Sequence, residues 1–187
     1  FDVKKINGRV LTLRPGQDGD TFPGLAGKEV KAGPEDCVIA DESGAQSLAG
    51  ITGGEGTGCD AGTTDVFIEC ALFDHVRIAR TGQRTGIFSD ARARFERGID
   101  SQLLPAGLDA ASAMVMEICG GRASEITEAG ARPAWTRQAR LRFERLRSFG
   151  GSDIATADAV ASLQRLGFGV VAQDAQSVTV AVPSWRN

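Results

Sequence analysis

The sequence predicts an α+β fold in two successive units, and three observations carry this prediction. The first half consists of short apolar runs separated by glycine-rich turns, which is typical of strands. Residues 103–119 carry apolar side chains at three- and four-residue steps, the spacing of one helix face. A small α/β pattern starts afresh after a break in composition at residues 129–133. We therefore expect two domains, residues 1–132 and residues 133–187.

The predicted strands of the first unit are short apolar runs that end at turns. Asn7 and Gly8 form a turn dipeptide, and a strand-like run containing Leu13 follows them. The run at residues 66–72 is almost wholly apolar, which predicts a buried strand carrying one carboxylate, Glu69. Further strands are expected at residues 25–30, which suggest a hairpin, and at residues 37–40 and 48–51.

Two helices are predicted in the first unit. A short helix follows Asp74, where apolar residues recur at helical spacing. A longer helix covers residues 103–119, and Gly120 with Gly121 ends it as glycines do at helix C-termini.

The second unit repeats the alternation of strand and helix. A strand is expected around Leu141 and Phe143. Ser152 or Asp153 is positioned to cap a helix that Gly167 ends. Paired strands are expected from the alternation at residues 170–171 and 178–182.

Composition narrows the classes of function. The net charge of −3 argues against a globally basic nucleic-acid surface, although it permits a local basic patch. No apolar run approaches the roughly 18 residues of a membrane span, so no membrane partner is expected. The four cysteines are widely spaced without a CxxC pair, which disfavours a zinc site and fits a reducing cytoplasm. Because the chain begins with Phe1, we expect it to be a piece of a longer protein.

The stretch GITGGEGTGC, which begins at Gly50, raises the question of a phosphate-binding loop. A P-loop requires a lysine where Cys59 stands. A dinucleotide fingerprint requires G-x-G-x-x-G at the start of a helix, whereas Gly54, Gly56 and Gly58 give G-x-G-x-G ahead of a predicted strand. Two interpretations remain open: a turn, or a backbone that a ligand approaches closely.

Glu69 and a run of arginines are the other candidates. A carboxylate in a buried strand is costly unless paired, so Glu69 faces outward, pairs with an arginine or binds a ligand. The basic run either forms a solvated helix face or contacts phosphates, and consists of Arg77, Arg80, Arg84, Arg92, Arg94 and Arg97. His75, the only histidine, is expected at the surface, and no motif of a protein nucleophile accompanies it.

Three motifs together carry a resemblance to a known family. GITGGEGTGC, then TTDVFIECALFD, then IARTGQRTGIFSDARARFERGID closely resemble the editing domain of the bacterial phenylalanyl-tRNA synthetase β subunit. The similarity continues through ICGG, LGFGV and VTVAVPSWRN, and so covers nearly the whole chain. It implies a mixed-sheet editing domain with flanking helices at residues 1–132, lacking its N-terminal part. A small winged-helix-like α/β domain, lacking its C-terminal end, is implied at residues 133–187.

The resemblance also implies a reaction and partners. The family's intact enzyme is a cytoplasmic heterotetramer of two α and two β subunits that joins phenylalanine to tRNA(Phe) with ATP and Mg2+. No cofactor is expected in this chain itself. The editing domain hydrolyses tyrosine mistakenly joined to that tRNA. A mostly apolar synthetic pocket cannot strongly reject an added hydroxyl, whereas a second site that hydrogen-bonds the hydroxyl can.

The family's pocket residues align with five positions of this sequence. Glu69 aligns with the glutamate thought to read the tyrosine hydroxyl, and Gly50 and Gly53 with glycines that wall the pocket. Ala91 aligns with a small residue that keeps the pocket open, and Ser89 stands where many members have threonine.

The family also carries a histidine in a Met-His-Ala-Phe-Asp run, and this histidine would lie just before Phe1. We therefore expect an incomplete pocket and weak or no activity of the isolated chain. Hydrolysis is expected to use an ordered water, assisted by the terminal ribose hydroxyl of the tRNA. Contacts to tRNA are predicted at Arg92, Arg94 and Arg97, which alternatively lock the fold through nearby carboxylates.

Two other functions compete with editing. One is a non-catalytic scaffold that binds tRNA or the α subunit. The other is a free-standing editing or tRNA-modifying protein, which the synthetase-like order of the two units disfavours.

Overall fold

The computed structural model describes residues 1–25 and 27–186, which contain three antiparallel sheets, five α-helices and two short 3-10 helices at Val3–Lys5 and Asn7–Arg9. The predicted α+β class is confirmed. One unit contains Phe1–Ile99 and Leu103–Glu125, and the other contains Asp100–Gln102 and the residues from Ile126 onward. The predicted boundary near residue 132 stays a prediction.

The first unit holds a four-stranded sheet and a separate hairpin. The strands are β1 (Thr12–Pro15), β2 (Thr21–Gly24), β3 (Lys28–Lys31), β4 (Cys37–Asp41), β5 (Gly44–Leu48) and β6 (Thr52–Gly53). The sheet has the order β1-β4-β5-β6, and β2 pairs with β3. The predicted hairpin at residues 25–30 is therefore confirmed in position, although its strands begin earlier and Ala26 lies outside the described residues.

The core of this unit forms where β4 and β5 meet the first helix. Val38, Leu48, Ile51 and Ile78 are fully buried there. Residues 38–40 of β4 are buried, and β4 lies between β1 and β5 in the sheet. Hydrophobic burial at this point fixes the position of the segment that follows β5.

Two predicted strands are wrong. Of residues 48–51, only Leu48 belongs to a strand, as the end of β5. Residues 49–51 form the turn before β6, in which the Ile51 amide donates to the Leu48 carbonyl at 3.0 Å. Their apolar character reflects burial in the core rather than strand pairing. Residues 66–72 form no strand among the described residues. Only Val66 forms an isolated bridge, with Asp2, and both Val66 and Phe67 are exposed.

Three helices complete the first unit: α1 (His75–Thr85), α2 (Asp90–Phe95) and α3 (Leu104–Cys119). The predicted start of α1 is confirmed, since the Asp74 carboxylate accepts the Arg77 amide at 2.7 Å. The predicted end of α3 is also confirmed, at Gly120 with φ 73°. No residue of α3 is buried, although its sequence is strongly apolar.

The second unit consists of a three-stranded sheet and two helices. Its elements are β7 (Gln138–Arg142), α4 (Glu144–Ser148), α5 (Thr156–Arg165), β8 (Gly169–Gln173) and β9 (Ser177–Ala181), with the sheet order β7-β9-β8. The predicted pairing of β8 with β9 is confirmed. The predicted cap of α5 is wrong: Ala155 occupies that position, and Asp153 instead forms an ion pair with Arg147 at 2.6 Å.

Along the described ranges, no helix combines the length and the apolar character needed to cross a membrane.

Candidate functional site

The glycine-rich stretch forms the short strand β6 and a closed turn. The Glu55 amide donates to the Pro23 carbonyl at 2.9 Å, and the Gly58 amide donates to the Glu55 carbonyl at 3.1 Å. Lys5 Nζ donates to the Gly58 carbonyl at 2.7 Å. These two amides are therefore engaged within the protein, and they are not free to cradle a phosphate.

The two glycines predicted to wall a pocket differ in their surroundings. Gly50 has φ +68°, and a Cβ there would lie 3.0 Å from the Phe73 ring and 3.1 Å from Ile78. Backbone conformation and packing therefore both require glycine at this turn. A Cβ on Gly53 would lie 3.6 Å from Leu25, an ordinary contact, and Gly53 is only partly buried.

Ser89 connects the glycine-rich stretch to α2. Its hydroxyl donates to the Ile51 carbonyl at 2.6 Å and accepts the Arg92 amide at 3.0 Å, which makes Ser89 the N-cap of α2. Ala91 lies in the first turn of α2 and is exposed. The structure thus brings Ser89 together with the turn that separates Gly50 from Gly53.

Glu69 lies in the extended segment between the bridge at Val66 and the start of α1. Its side chain is exposed, and within the described residues it has no hydrogen bond or ion pair, so pairing with an arginine is not observed. Desolvation by neighbouring atoms nevertheless raises the pKa of its carboxyl. The carboxyl is thus accessible at the surface while neighbouring atoms displace part of its hydration.

No described hydrogen bond joins Glu69 to Ser89 or to β6. The connection between them is indirect. Phe73, which follows the Glu69 segment, packs on Phe95 of α2 with ring centroids 5.2 Å apart.

The arginines of α2 have different environments. Arg92 is 9% exposed, and its guanidinium donates to Glu96 at 2.9 Å and to the Ile87 carbonyl at 2.7 Å. The Arg92 guanidinium is therefore bonded within the fold, as the alternative interpretation expects, and its contact with tRNA stays a prediction. Arg94 and Arg97 are exposed, and their contact with tRNA stays a prediction.

The structure also contains a cleft that the sequence did not predict. It measures about 570 Å3, and its lining residues come from α1, from β1 and from the start of β4. Three arginines of α1 contribute to its lining: Arg77, Arg80 and Arg84. Their spacing on one helix face was visible in the sequence, but the cleft depends on the position of β1 and β4.

No cluster of three or more histidine, cysteine or carboxylate side chains suited to a metal ion occurs in the part of the chain that the structure describes. The four cysteines are free.

Comparison with known proteins places these features in a family context. A family model described as the B3/4 domain matches residues 1–120, and one described as the tRNA synthetase B5 domain matches residues 139–187. Three curated proteins named phenylalanine–tRNA ligase beta subunit are similar to the whole chain. The protein of Gluconobacter oxydans (strain 621H) is 56% identical over 187 residues, that of Nitrobacter winogradskyi 45% over 186, and that of Rhodospirillum rubrum 42% over 186. Each match includes 100% of this chain and 23% of the relative, so the chain spans less than a quarter of these relatives.

Proposed function

Because the chain belongs to the family of phenylalanine–tRNA ligase beta subunits, with a B3/4 domain followed by a B5 domain, we propose that its first unit edits mischarged tRNA. The reaction is hydrolysis of the ester between tyrosine and tRNA(Phe). It takes place in the intact ligase. The isolated chain is then weakly active or inactive.

The observation that carries the proposal is the free carboxylate of Glu69. Among the described residues it has no hydrogen-bond partner, and its partial desolvation strengthens any bond that it accepts. A tyrosine hydroxyl supplies the missing donor, whereas phenylalanine does not. A hydrogen bond to a charged group contributes about 1.5–3 kcal/mol. Because Glu69 is exposed, we expect the lower part of that range, which is roughly a tenfold preference for tyrosine.

The rest of the pocket is proposed around the junction of β6 and α2. Gly53 leaves space beside the chain, and Ala91 adds only a methyl group at an exposed position. Ser89 holds the two elements together through its bond to the Ile51 carbonyl. Gly50 contributes indirectly to the pocket, because its lack of a side chain allows Phe73 and Ile78 to pack there.

The proposed mechanism uses no protein nucleophile. An ordered water attacks the ester carbonyl, the terminal ribose hydroxyl of the tRNA assists, and the ribose oxygen leaves as an alcohol while tyrosine leaves as the free acid. The protein orients the ester, and Glu69 fixes the position of the tyrosine ring by accepting a hydrogen bond from its hydroxyl.

The remaining parts of the proposal concern the whole ligase. It joins phenylalanine to tRNA(Phe) with ATP and Mg2+ in the α subunit, as a cytoplasmic heterotetramer of two α and two β subunits. ATP does not fit the glycine-rich stretch, because the Glu55 and Gly58 amides are already bonded. No step of editing is therefore assigned to ATP.

The test uses an intact ligase whose beta subunit contains this sequence. Tyrosyl-tRNA(Phe) is prepared separately and added without ATP, so that the ester cannot be remade. The wild type should clear it, and Glu69→Ala should leave most of it intact. Glu117→Ala is a matched control, since Glu117 is an exposed carboxylate on α3. Normal clearance by Glu69→Ala would remove Glu69 from the site.

One observation favours a second candidate, a non-catalytic scaffold within the ligase. Several apolar side chains of α3 are exposed, including Met114 at 61% and Ile118 at 75%. Such a surface suits contact with another part of the enzyme. A wild-type ligase that never deacylates tyrosyl-tRNA would favour this candidate over editing.

A further inference from the structure

The cleft beside α1 combines a basic ridge with an apolar floor. The ridge consists of Arg77, Arg80 and Arg84, which lie at three- and four-residue steps on one face of the helix. The floor includes Leu13 and Val76, whose side chains are 52% and 44% exposed. A volume of about 570 Å3 is in the range of ligand sites.

Two of the three arginines are available to a ligand. Arg84 is bound to the buried Asp36 carboxylate and to the Lys31 carbonyl, so the fold uses it. Arg77 and Arg80 are exposed, and no carboxylate of the described residues lies within ion-pair distance of either. Two planar guanidinium groups one helical turn apart are well suited to bind phosphate oxygens.

The carboxylates that face the cleft do not neutralise these two arginines. Asp74 accepts the Arg77 amide as the cap of α1, and Asp36 is held by Thr81, Arg84 and the Gly33 amide. Glu35 is the remaining one, and it is exposed without a described partner. Glu35 therefore opposes an anionic ligand at the rim.

The positive charge of Arg77 also lies close to the apolar part of the cleft. Burial raises the pKa of the Cys37 thiol, and the positive charge of Arg77 acts in the opposite direction. Since Cys37 and Leu13 both line the cleft, the guanidinium lies beside apolar surface. Cation and apolar surface thus share one cleft.

We propose that this cleft binds a single-stranded segment of RNA. Successive phosphates contact Arg77 and Arg80, and a base lies on the floor formed by Leu13, Leu72 and Val76. An acidic peptide is a poorer match, because carboxylates alone leave the apolar floor uncovered. This inference rests on the proposed function, because the RNA in question is tRNA. The contact at Arg77 and Arg80 is separate from the tRNA contacts predicted at Arg94 and Arg97.

The experiment measures binding of fluorescently labelled tRNA(Phe) to the intact ligase over a range of salt concentrations. In the double variant Arg77→Ala/Arg80→Ala, Kd should rise roughly tenfold or more. The slope of log K against log salt should become shallower by about 2, one for each lost phosphate contact. Alanine favours the helix at both exposed positions, so the fold should be retained.

Three further variants sharpen the result. Arg122→Ala/Arg165→Ala removes the same charge from exposed positions outside the cleft and should leave Kd and slope near the wild-type values. Glu35→Gln removes the opposing charge and should tighten binding by roughly twofold. Glu69→Ala should bind tRNA like the wild type, which separates this inference from the editing proposal.

Competition identifies the class of ligand. A single-stranded RNA oligonucleotide should displace tRNA from the wild type but have much less effect on what binding remains in Arg77→Ala/Arg80→Ala. A polyglutamate peptide of equal charge should displace it poorly. Equal displacement by polyglutamate would contradict the assignment to RNA, and an unchanged Kd and slope in the arginine variant would contradict the site itself.

Discussion

Gly50 shows how one residue connects the candidate pocket to the core. The left-handed backbone and the approach of Phe73 and Ile78 both exclude a side chain there. Gly86, the C-cap of α1, has nearly the same backbone conformation at φ +66°, but nothing lies near its absent Cβ. Comparing substitutions at these two glycines therefore distinguishes the effect of backbone strain from that of packing.

Gly50→Ala should destabilise the protein more than Gly86→Ala. Both substitutions carry about 1–2 kcal/mol of left-handed strain, and Gly50→Ala adds about 1–3 kcal/mol of overpacking. Urea unfolding followed by circular dichroism measures the difference. Equal losses for the two variants would mean that the core relaxes around the added methyl group.

The raised pKa of Glu69 leads to a prediction about pH. The ionised carboxylate is the stronger acceptor, so the preference for tyrosyl-tRNA over phenylalanyl-tRNA should fall as the pH drops through that raised pKa. Taking the ratio of the two deacylation rates cancels the general effect of pH on ester hydrolysis. Glu69→Gln keeps an acceptor that does not titrate, and its ratio should be independent of pH in the same range.

The raised pKa of Glu69 also determines how the free energy of unfolding changes with pH. The folded state binds a proton on Glu69 more tightly than the unfolded chain does, so stability falls as the pH rises between the unfolded and the folded pKa. The effect should be small because the group is exposed. A pH profile of Glu69→Gln identical to that of the wild type would contradict the assigned environment.

At the scale of elements, Arg92 joins α2 to α1. A Cβ on Gly82, in the buried face of α1, would overlap the Arg92 side chain. The Arg92 guanidinium also stands 5.0 Å from the centre of the Phe88 ring. The packing of these helices fixes the position of Ser89 and Ala91.

A double-mutant cycle tests this contact. Gly82→Ala alone should cost about 1–3 kcal/mol, because the methyl group displaces a bonded guanidinium. In an Arg92→Ala background the same change should be neutral or stabilising by up to about 1 kcal/mol, since alanine favours a helix. The coupling energy from urea unfolding should therefore exceed about 1 kcal/mol. Additive effects would show that the two residues do not meet.

The helices and strands also show which structural features can be predicted from the sequence. Asp74 and Gly120 mark helix ends correctly, because a cap depends on residues a few positions away. The strand predicted at residues 66–72 fails, because a strand depends on a distant partner and the pairing stops near Val66. The cap of α5 fails because α5 begins only at Thr156, so that Ala155 takes the cap position while Asp153 pairs with Arg147.

At the scale of the molecule, the sequence predicts the family and leaves the surfaces open. The motifs predict residues for a pocket but not which of them are buried, and the burial of Arg92 with its bond to the Ile87 carbonyl was not evident from the sequence. The cleft of α1 required the positions of β1 and β4, which no local pattern contains. The cleft joins residues far apart in the sequence, whereas the bonds of Arg92 are local and depend on how the chain folds back between α1 and α2.

The most direct test of the central claim is the selectivity of editing in the intact ligase. Single-turnover deacylation of tyrosyl-tRNA(Phe) and phenylalanyl-tRNA(Phe) is measured without ATP for the wild type and for Glu69→Ala. We expect the ratio of the two rates to fall roughly tenfold in the variant, mainly through slower clearance of tyrosine. An unchanged ratio would contradict the claim that Glu69 reads the tyrosine hydroxyl.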